Sequence, residues 1–454
     1  MLSVRYIRRS TYLNIILMKL IIENKNETNS SLTSEKAQLV TEYSKTLREV
    51  ADSNNYEHDE ASLNLAFDDD ILHQVQTLVS QKVTPALTHI FVVGIGGSNL
   101  GTKAIYDALY APYDIVQTKR PKMLFVDTAN DVFLRLYCTE IIPNISKAEE
   151  VLVVTISKSG GTTETLANTE IILSALKHRI PDINNRTVVI TDEGSAYWNA
   201  AEEKNISCLA IPKKVGGRYS VLSAVGLFPL LAFGMDITAL RAGARDIRPY
   251  CLNTDIEDNI AIKSATLLAD SAGQRKTIND NFVFNSELES LGKWYRQLMG
   301  ESVGKEKNTM GEVINAGLTP TVSVGSTDLH SVGQLYLGGP KDKITTFIYS
   351  TDISKSLDIP TERIFPTIVG MITGKNTNHI MKAILGGVKE AYRKQELPFM
   401  EVQLEGITPY ELGAFMQFKM IEMMYLGKLL HVNPFDQPNV ESYKVETKRI
   451  LEAS

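Results

Sequence analysis

Cysteine is scarce in this 454-residue chain. There are three, Cys138, Cys208 and Cys251, odd in number and far apart. That excludes a disulfide scaffold and reads as free thiols in a reducing compartment, the cytoplasm. The seven histidines fall at no metal-ligand spacing, so no metal is expected. No apolar run approaches the roughly 20 residues of a membrane span, which argues against a membrane partner. No basic run forms a stripe, and the net charge is −6, which argues against nucleic acid. Short repeats and low-complexity segments are missing too. A hydrophobic content of 43% and a charged content of 22% are those of an ordinary globular chain, long enough for two or three domains.

The N-terminus superficially imitates a signal peptide, with Arg5, Arg8 and Arg9 ahead of the apolar run Leu13–Met18. Asn14 and Lys19 interrupt it, and no small-residue cleavage site follows. Met18 is therefore read as the start, with the 17 preceding residues an extension. From about Ser30 to Leu78 helical and polar patterns alternate. From Ile90 the pattern becomes strand then helix. Strands are expected at Ile90–Val93, Met123–Val126, Val151–Ile156, Thr187–Ile190 and Cys208–Ile211, with helices between them. Such alternation implies a parallel sheet covered on both faces, with ligands beyond the carboxyl ends of its strands. A second, less regular αβα unit is expected after Asp255–Asp258. Its strands are placed at Thr321–Val324, Ile344–Tyr349 and Phe399–Val402, and its helices include Ser286–Met299, Asn376–Gln395 and Pro409–Leu429. The fold class is α/β, partitioned as 1–84 (extension and helical lead-in), 85–255 (first αβα domain), 256–430 (second αβα domain) and 431–454 (C-terminal helical segment).

The richest segment is Val151–Thr165. A β-branched run stops, and Ser157-Lys158-Ser159-Gly160-Gly161-Thr162-Thr163 leads into a helix. Hydroxyls and free backbone N–H groups converge there on one point, a geometry suited to phosphate. The plain alternative is an ordinary capped loop. It does not fit a Walker A loop. A second small-residue turn, Gly94-Ile95-Gly96-Gly97-Ser98-Asn99-Leu100-Gly101, follows the run His89–Val93. A dinucleotide fingerprint would need glycine at Asn99, which disfavours an NAD-linked oxidoreductase. Two such turns point to a small phosphorylated ligand between them, and no cofactor is visible.

Four further segments carry chemical groups. Gly216-Gly217-Arg218-Tyr219-Ser220 can bring a guanidinium close to an anion, though an exposed turn arginine is the commoner case. Glu301 ends a helical pattern among small residues. The negative end of a helix dipole disfavours a carboxylate anion, which suits it to proton transfer. A solvated glutamate is the plain alternative. A loop, Lys305–Thr319, is expected next. His330 then follows a strand, with Asp328 nearby, and can act as a proton carrier or a structural residue. Gln437 and Lys444, seven apart, return to about the same helical face, where they could address sugar hydroxyls. Glu441 and Lys444 could instead form a surface pair.

Taken together, Gly94–Gly101, Ile156–Thr165, Gly216–Ser220, Gly300–Lys305, Thr327–Ser331 and Phe435–Lys444 resemble the phosphoglucose isomerase family, in its shorter bacterial branch. The match runs in order from about Ile90 to Lys444. Asn439 departs from it, standing where the family usually has glycine. The resemblance implies two sugar-isomerase (SIS) αβα domains and the reversible conversion of glucose 6-phosphate to fructose 6-phosphate, without a cofactor. It implies Glu301 as the base moving a proton between C1 and C2, and Arg218 as the group stabilising the enediolate. It implies His330 and Lys444 as the ring-opening pair. Ser157, Ser159 and Thr162 would cradle the phosphate with Lys158 beside them, and Gly97, Ser98 and Gln437 would touch substrate. The histidine would come from a partner subunit, which implies a homodimer. The competing reading is a non-catalytic sugar-phosphate sensor on the same domains, which would lack the Glu/His/Lys set.

Overall fold

A computed structural model describes residues 18–22, 33–114, 116 and 121–453, so the extension 1–17 lies outside the described residues. The strands, in chain order, are β1 (Lys19–Ile22), β2 (His89–Val93), β3 (Lys122–Val126), β4 (Val151–Ile156), β5 (Thr187–Thr191), β6 (Ser207–Ala210), β7 (Ile278–Val283), β8 (Lys305–Lys307), β9 (Val313–Ala316), β10 (Thr319–Val324), β11 (Lys343–Ser350) and β12 (Phe399–Leu404). β2 and β4 are continuous apolar runs rich in β-branched residues, the pattern of a strand buried on both faces. Every residue of β4 is buried. The first sheet is wholly parallel, in the order β3-β2-β4-β5-β6.

The second sheet runs β1-β12-β11-β7-β10. Its last four strands are parallel, and β1 joins the edge antiparallel, with Lys19 opposite Gln403. The lead-in is thus not wholly helical: Lys19–Ile22 supplies a strand to the second sheet. The alternation of β2 with β3 and β4 recurs in β7 with β10 and β11. In both sheets the first strand of the series pairs with the second on one side and the third on the other. Each therefore reverses direction at one point, between β2 and β4 and between β7 and β11.

The helix Pro409–Leu429 is buried on almost every side, with apolar residues distributed around its whole circumference. Thr408 caps it by accepting a hydrogen bond from Glu411 N at 3.2 Å, and Pro409 occupies its first turn. It crosses the helix Ile237–Cys251 at backbone contact. A Cβ on Gly413 would lie 1.9 Å from Leu240 O, and one on Gly243 would lie 1.8 Å from Tyr410 O. Lys419 and Glu422 are fully buried on this helix and pair at 2.6 Å. Tyr295 OH donates to Glu422 at 2.6 Å and Ser264 Oγ bonds the same carboxylate, so the buried charges are satisfied. Tyr295 lies on the helix Glu289–Val303, whose last turn carries Glu301.

Lys305–Thr319 is not a loop. β8 and β9 pair as a hairpin, closed by Asn308 Oδ1 accepting from Met310 N and Glu312 N.

Candidate active site

Both small-residue turns lie at the carboxyl ends of the neighbouring strands β2 and β4, where the first sheet reverses direction. That is the crevice position for ligands in open α/β sheets. After β4, Ser157 is buried and its Oγ lies 2.9 Å from Thr162 Oγ1. Gly160 N donates to Ser157 O at 3.1 Å and Gly161 N reaches Ser159 Oγ at 3.4 Å. Thr162 starts the 15-residue helix Thr163–Lys177 without capping it through its side chain. The turn thus closes on itself around hydroxyls and leaves the start of that helix without a side-chain cap. Lys158 does not join the cradle: its Nζ donates to Lys213 O at 2.7 Å. Partial burial lowers its pKa, an effect opposed by Asp192.

The other turn abuts Arg218. A Cβ on Gly97 would fall 2.2 Å from Gly217 C and 2.5 Å from Arg218 N, so only glycine permits this approach. Ser98 stays within its own turn, where its N–H donates to Ile95 O at 3.2 Å. Arg218, 3% exposed, is fixed on three sides. Its Nε donates to Ser302 Oγ at 2.9 Å, and its Nη2 donates to Pro434 O at 2.5 Å and Asp436 O at 3.1 Å. Its Nη1 faces Glu301 Oε2 at 3.3 Å and Gln437 Oε1 at 2.9 Å. Tyr219 OH shares Ser302 Oγ at 2.9 Å.

Glu301 lies in the last turn of its helix, with its side chain 31% exposed. Gln297, one turn earlier, donates to its Oε1 at 2.9 Å. Gln297 Oε1 is itself buried without a protein partner. Lys305 Nζ donates to Glu301 O and to Asp436 Oδ1, both at 2.9 Å, and also to Asp436 O. Burial lowers the pKa of Lys305, and Asp436 opposes the shift. Gln297, Ser302 and Lys305 were not singled out from the sequence. The spacing of four between Gln297 and Glu301 was the available signal for the first. Nothing local marked Ser302.

Two expected residues stand apart. His330 is exposed, in the turn Thr327–His330 after β10, in the second sheet. Among the described residues no hydrogen bond ties it to Glu301, Arg218 or Gln437. Asp328 does not orient it: that carboxylate accepts from Val324 N at 2.7 Å and Ser331 Oγ at 2.8 Å. Lys444 and Gln437 do not share a helical face. Gln437 precedes the turn Pro438–Val440 and points to Arg218, whereas Lys444 lies on the helix Glu441–Ala453 and pairs with Glu441 at 2.7 Å. That helix has no buried residue. Asn439 reaches Glu306 Oε2 on β8 at 3.1 Å. Among the described residues, no group of three or more His, Cys, Asp or Glu is placed to hold a metal ion, and no helix is long and apolar enough to cross a membrane.

A hydroxyl-lined turn on one strand, and on its neighbour a glycine turn against a buried arginine paired with a part-exposed glutamate, at the switch point of one of two αβα units, define the class: a phosphosugar-type isomerase architecture. The comparisons agree. The model of the phosphoglucose isomerase family matches residues 70–454, and the chain belongs to that family. It is 32% identical over 381 residues to a glucose-6-phosphate isomerase of Methanocaldococcus jannaschii, covering 83% of this chain and 87% of that one. It is 33% identical over 374 residues to one of Streptococcus pyogenes, covering 80% of each chain. A hypothetical protein of Thermus thermophilus superposes with a TM-score of 0.82 at 29% identity, covering 96% of this chain and all of that one. A glucose-6-phosphate isomerase of Chlamydia trachomatis shares the fold, with a TM-score of 0.72 at 19% identity, covering 96% of this chain and 81% of that one.

Proposed function

We infer that this chain interconverts glucose 6-phosphate and fructose 6-phosphate through a cis-enediol intermediate, a step of glycolysis and gluconeogenesis. The observation that carries the reading is the Arg218–Glu301 contact at 3.3 Å, held against the turn that follows β2, the strand next to β4. Moving a proton between C1 and C2 requires a positioned carboxylate and a cation for the oxyanion that forms. Glu301 is the base in this reading, and Arg218 stabilises the enediolate. Ser157, Ser159 and Thr162 bind the phosphate, which holds the reacting carbons against Glu301. Gly97, Ser98 and Gln437 contact the sugar. Lys158 supplies positive potential beside the phosphate.

Ring opening falls to His330 and Lys444. The exposure of both within one chain supports assembly by a second subunit. In this reading the enzyme is a homodimer, with His330 crossing the interface. The domain limits in this reading are 85–255 and 256–430, flanked by 1–84 and 431–454; the parallel strands of each sheet lying within one of these spans support it, while β1 adds an edge to the second sheet from within 1–84. The three free cysteines support a cytoplasmic location.

The test is Glu301→Gln, which keeps size and hydrogen bonding but cannot take a proton. Turnover of fructose 6-phosphate should fall at least about 10²-fold with little change in KM, and exchange of the C2 proton with solvent should fall in parallel. Near-normal turnover and exchange would end the assignment.

A further inference from the structure

The second sheet repeats the first in more than strand order. Its reversal point, between β7 and β11, also opens into a cavity, of about 220 Å³. The first sheet holds its candidate phosphate turn where β4, its third strand, runs into a helix. The cavity lies where β11, the third parallel strand of the second sheet, leads through a loop into the helix Thr377–Lys394. None of the residues lining it belongs to the candidate active site.

The walls of the cavity are held by backbone contacts. Asn285, just beyond β7, accepts a hydrogen bond from Ser350 N at 2.9 Å and so ties the two strand ends together. Leu357 N donates to Thr377 Oγ1 at 3.2 Å, and Thr377 N donates to Leu357 O at 2.9 Å, which fixes the loop to the helix start. Asn378 Nδ2 donates to Asp352 O at 3.3 Å. Phe284, Tyr349 and Met381 form an apolar side. Asp352 and Glu287 line it as well; Asp352 accepts from Ser354 N at 2.8 Å and Ser354 Oγ at 2.9 Å, and Glu287 Oε1 from Asn285 Nδ2 at 3.4 Å, which leaves each carboxylate with lone pairs for a further donor. Lys355 and Lys382 are among the residues that line the cavity.

That combination recognises a narrow chemical class. Aromatic and aliphatic walls take the C–H face of a sugar. Carboxylates accept hydrogen bonds from its hydroxyls, and two lysines suit a phosphate dianion. The volume lies below the roughly 300–1,000 Å³ of drug-sized sites, which fits a small metabolite. We propose that this cavity is a second, non-catalytic binding site for a sugar phosphate, placed at the switch point of the second sheet as the active site is at that of the first. The location rests on the second sheet alone and does not depend on the roles given to Glu301 or Arg218.

The test counts sites on the full chain with 6-phosphogluconate, a phosphorylated sugar acid that an aldose–ketose isomerase cannot turn over, by isothermal titration. The unaltered protein should bind two molecules per chain. Lys355→Glu/Lys382→Glu should weaken one of them at least about tenfold, as loss of charge-assisted bonds predicts, and leave turnover of fructose 6-phosphate unchanged. The milder Lys355→Gln/Lys382→Gln should weaken the same site less. Ser159→Ala/Thr162→Ala should weaken the other site alone. One molecule per chain in the unaltered protein, or two undiminished sites in both lysine double variants, overturns the proposal. Two undiminished sites in Ser159→Ala/Thr162→Ala would instead count against the phosphate turn and leave the second site standing.

Discussion

Lys305 is the residue whose removal best tests how the site is held together. Its side chain is 5% exposed, and its ammonium bridges Glu301 O to both the backbone and the carboxylate of Asp436. It thereby fastens the helix that carries Glu301 to the segment that delivers Gln437 and cages Arg218. In Lys305→Met the stem remains and the charge goes. A hydrogen bond to a charged group contributes about 1.5–3 kcal/mol. The Asp436 partner is half exposed, so its share is screened and regains water. The buried cation also carries a desolvation cost that methionine removes. The net loss of stability should therefore be modest, about 2 kcal/mol by urea denaturation. The kinetic loss should be larger relative to the change made. A displacement near 1 Å of the Asp436–Gln437 segment costs about 10²-fold when it moves groups that position the substrate, so kcat/KM should fall between about 10- and 100-fold. Asp436→Asn removes only the screened ion pair and should cost under about 1 kcal/mol. Lys305→Met with unaltered stability and unaltered kcat/KM would refute the reasoning. So would Asp436→Asn matching it in both.

Three other outcomes follow from the geometry. Glu411 is buried at the start of the helix Pro409–Leu429, and burial raises its pKa to about 7. The folded state then holds its proton where the unfolded state releases it, so its stabilising share is complete below about pH 4.5 and is lost as pH rises through about 7. Glu411→Gln should gain about 2–3 kcal/mol relative to the parent between pH 5 and pH 8 in denaturation experiments, and a pH-independent difference would exclude this. Ser159→Ala/Thr162→Ala should raise KM for fructose 6-phosphate, with each lost bond worth roughly 0.5–1.5 kcal/mol; an unchanged KM in the folded variant places the phosphate elsewhere. Mixing inactive Glu301→Gln and His330→Ala proteins under subunit exchange should restore partial activity, because one site of a mixed dimer holds neither lesion. No recovery despite verified exchange would argue against a shared site.

The first sheet was legible because its strands are short apolar runs bounded by small-residue turns. All five fall within one residue of where periodicity puts them. β7 was not legible, although it is an inner strand of the second sheet. Its Asn279-Asp280-Asn281 core reads as a turn, and Asp280 Oδ1 is met by Thr321, Ser323 and Tyr336, distant in sequence, at 2.6–3.1 Å. β1 was missed for a similar reason, since a four-residue strand at a sheet edge has no pattern of its own. In the site, Arg218 and Glu301 could be named from their local setting and their resemblance to a family. Their contact could not, because residues 83 positions apart meet only through tertiary packing. Gln437 and Lys444 show the opposite failure: a helical spacing suggested a shared face, and the break at Pro438 separated them.

The placement of β1 and of the helix Pro409–Leu429 bears on biosynthesis. β1, among the first described residues, pairs with β12, and the buried helix that packs on Ile237–Cys251, Ile260–Gly273 and Glu289–Val303 comes after β12 in the chain. A nascent chain therefore exposes the apolar faces of these helices until the ribosome has passed Leu429. The first sheet can pair early, from strands within about 120 residues of one another. The centre of the molecule has to wait, which makes the partly synthesised chain, not the finished enzyme, the form most in need of a chaperone.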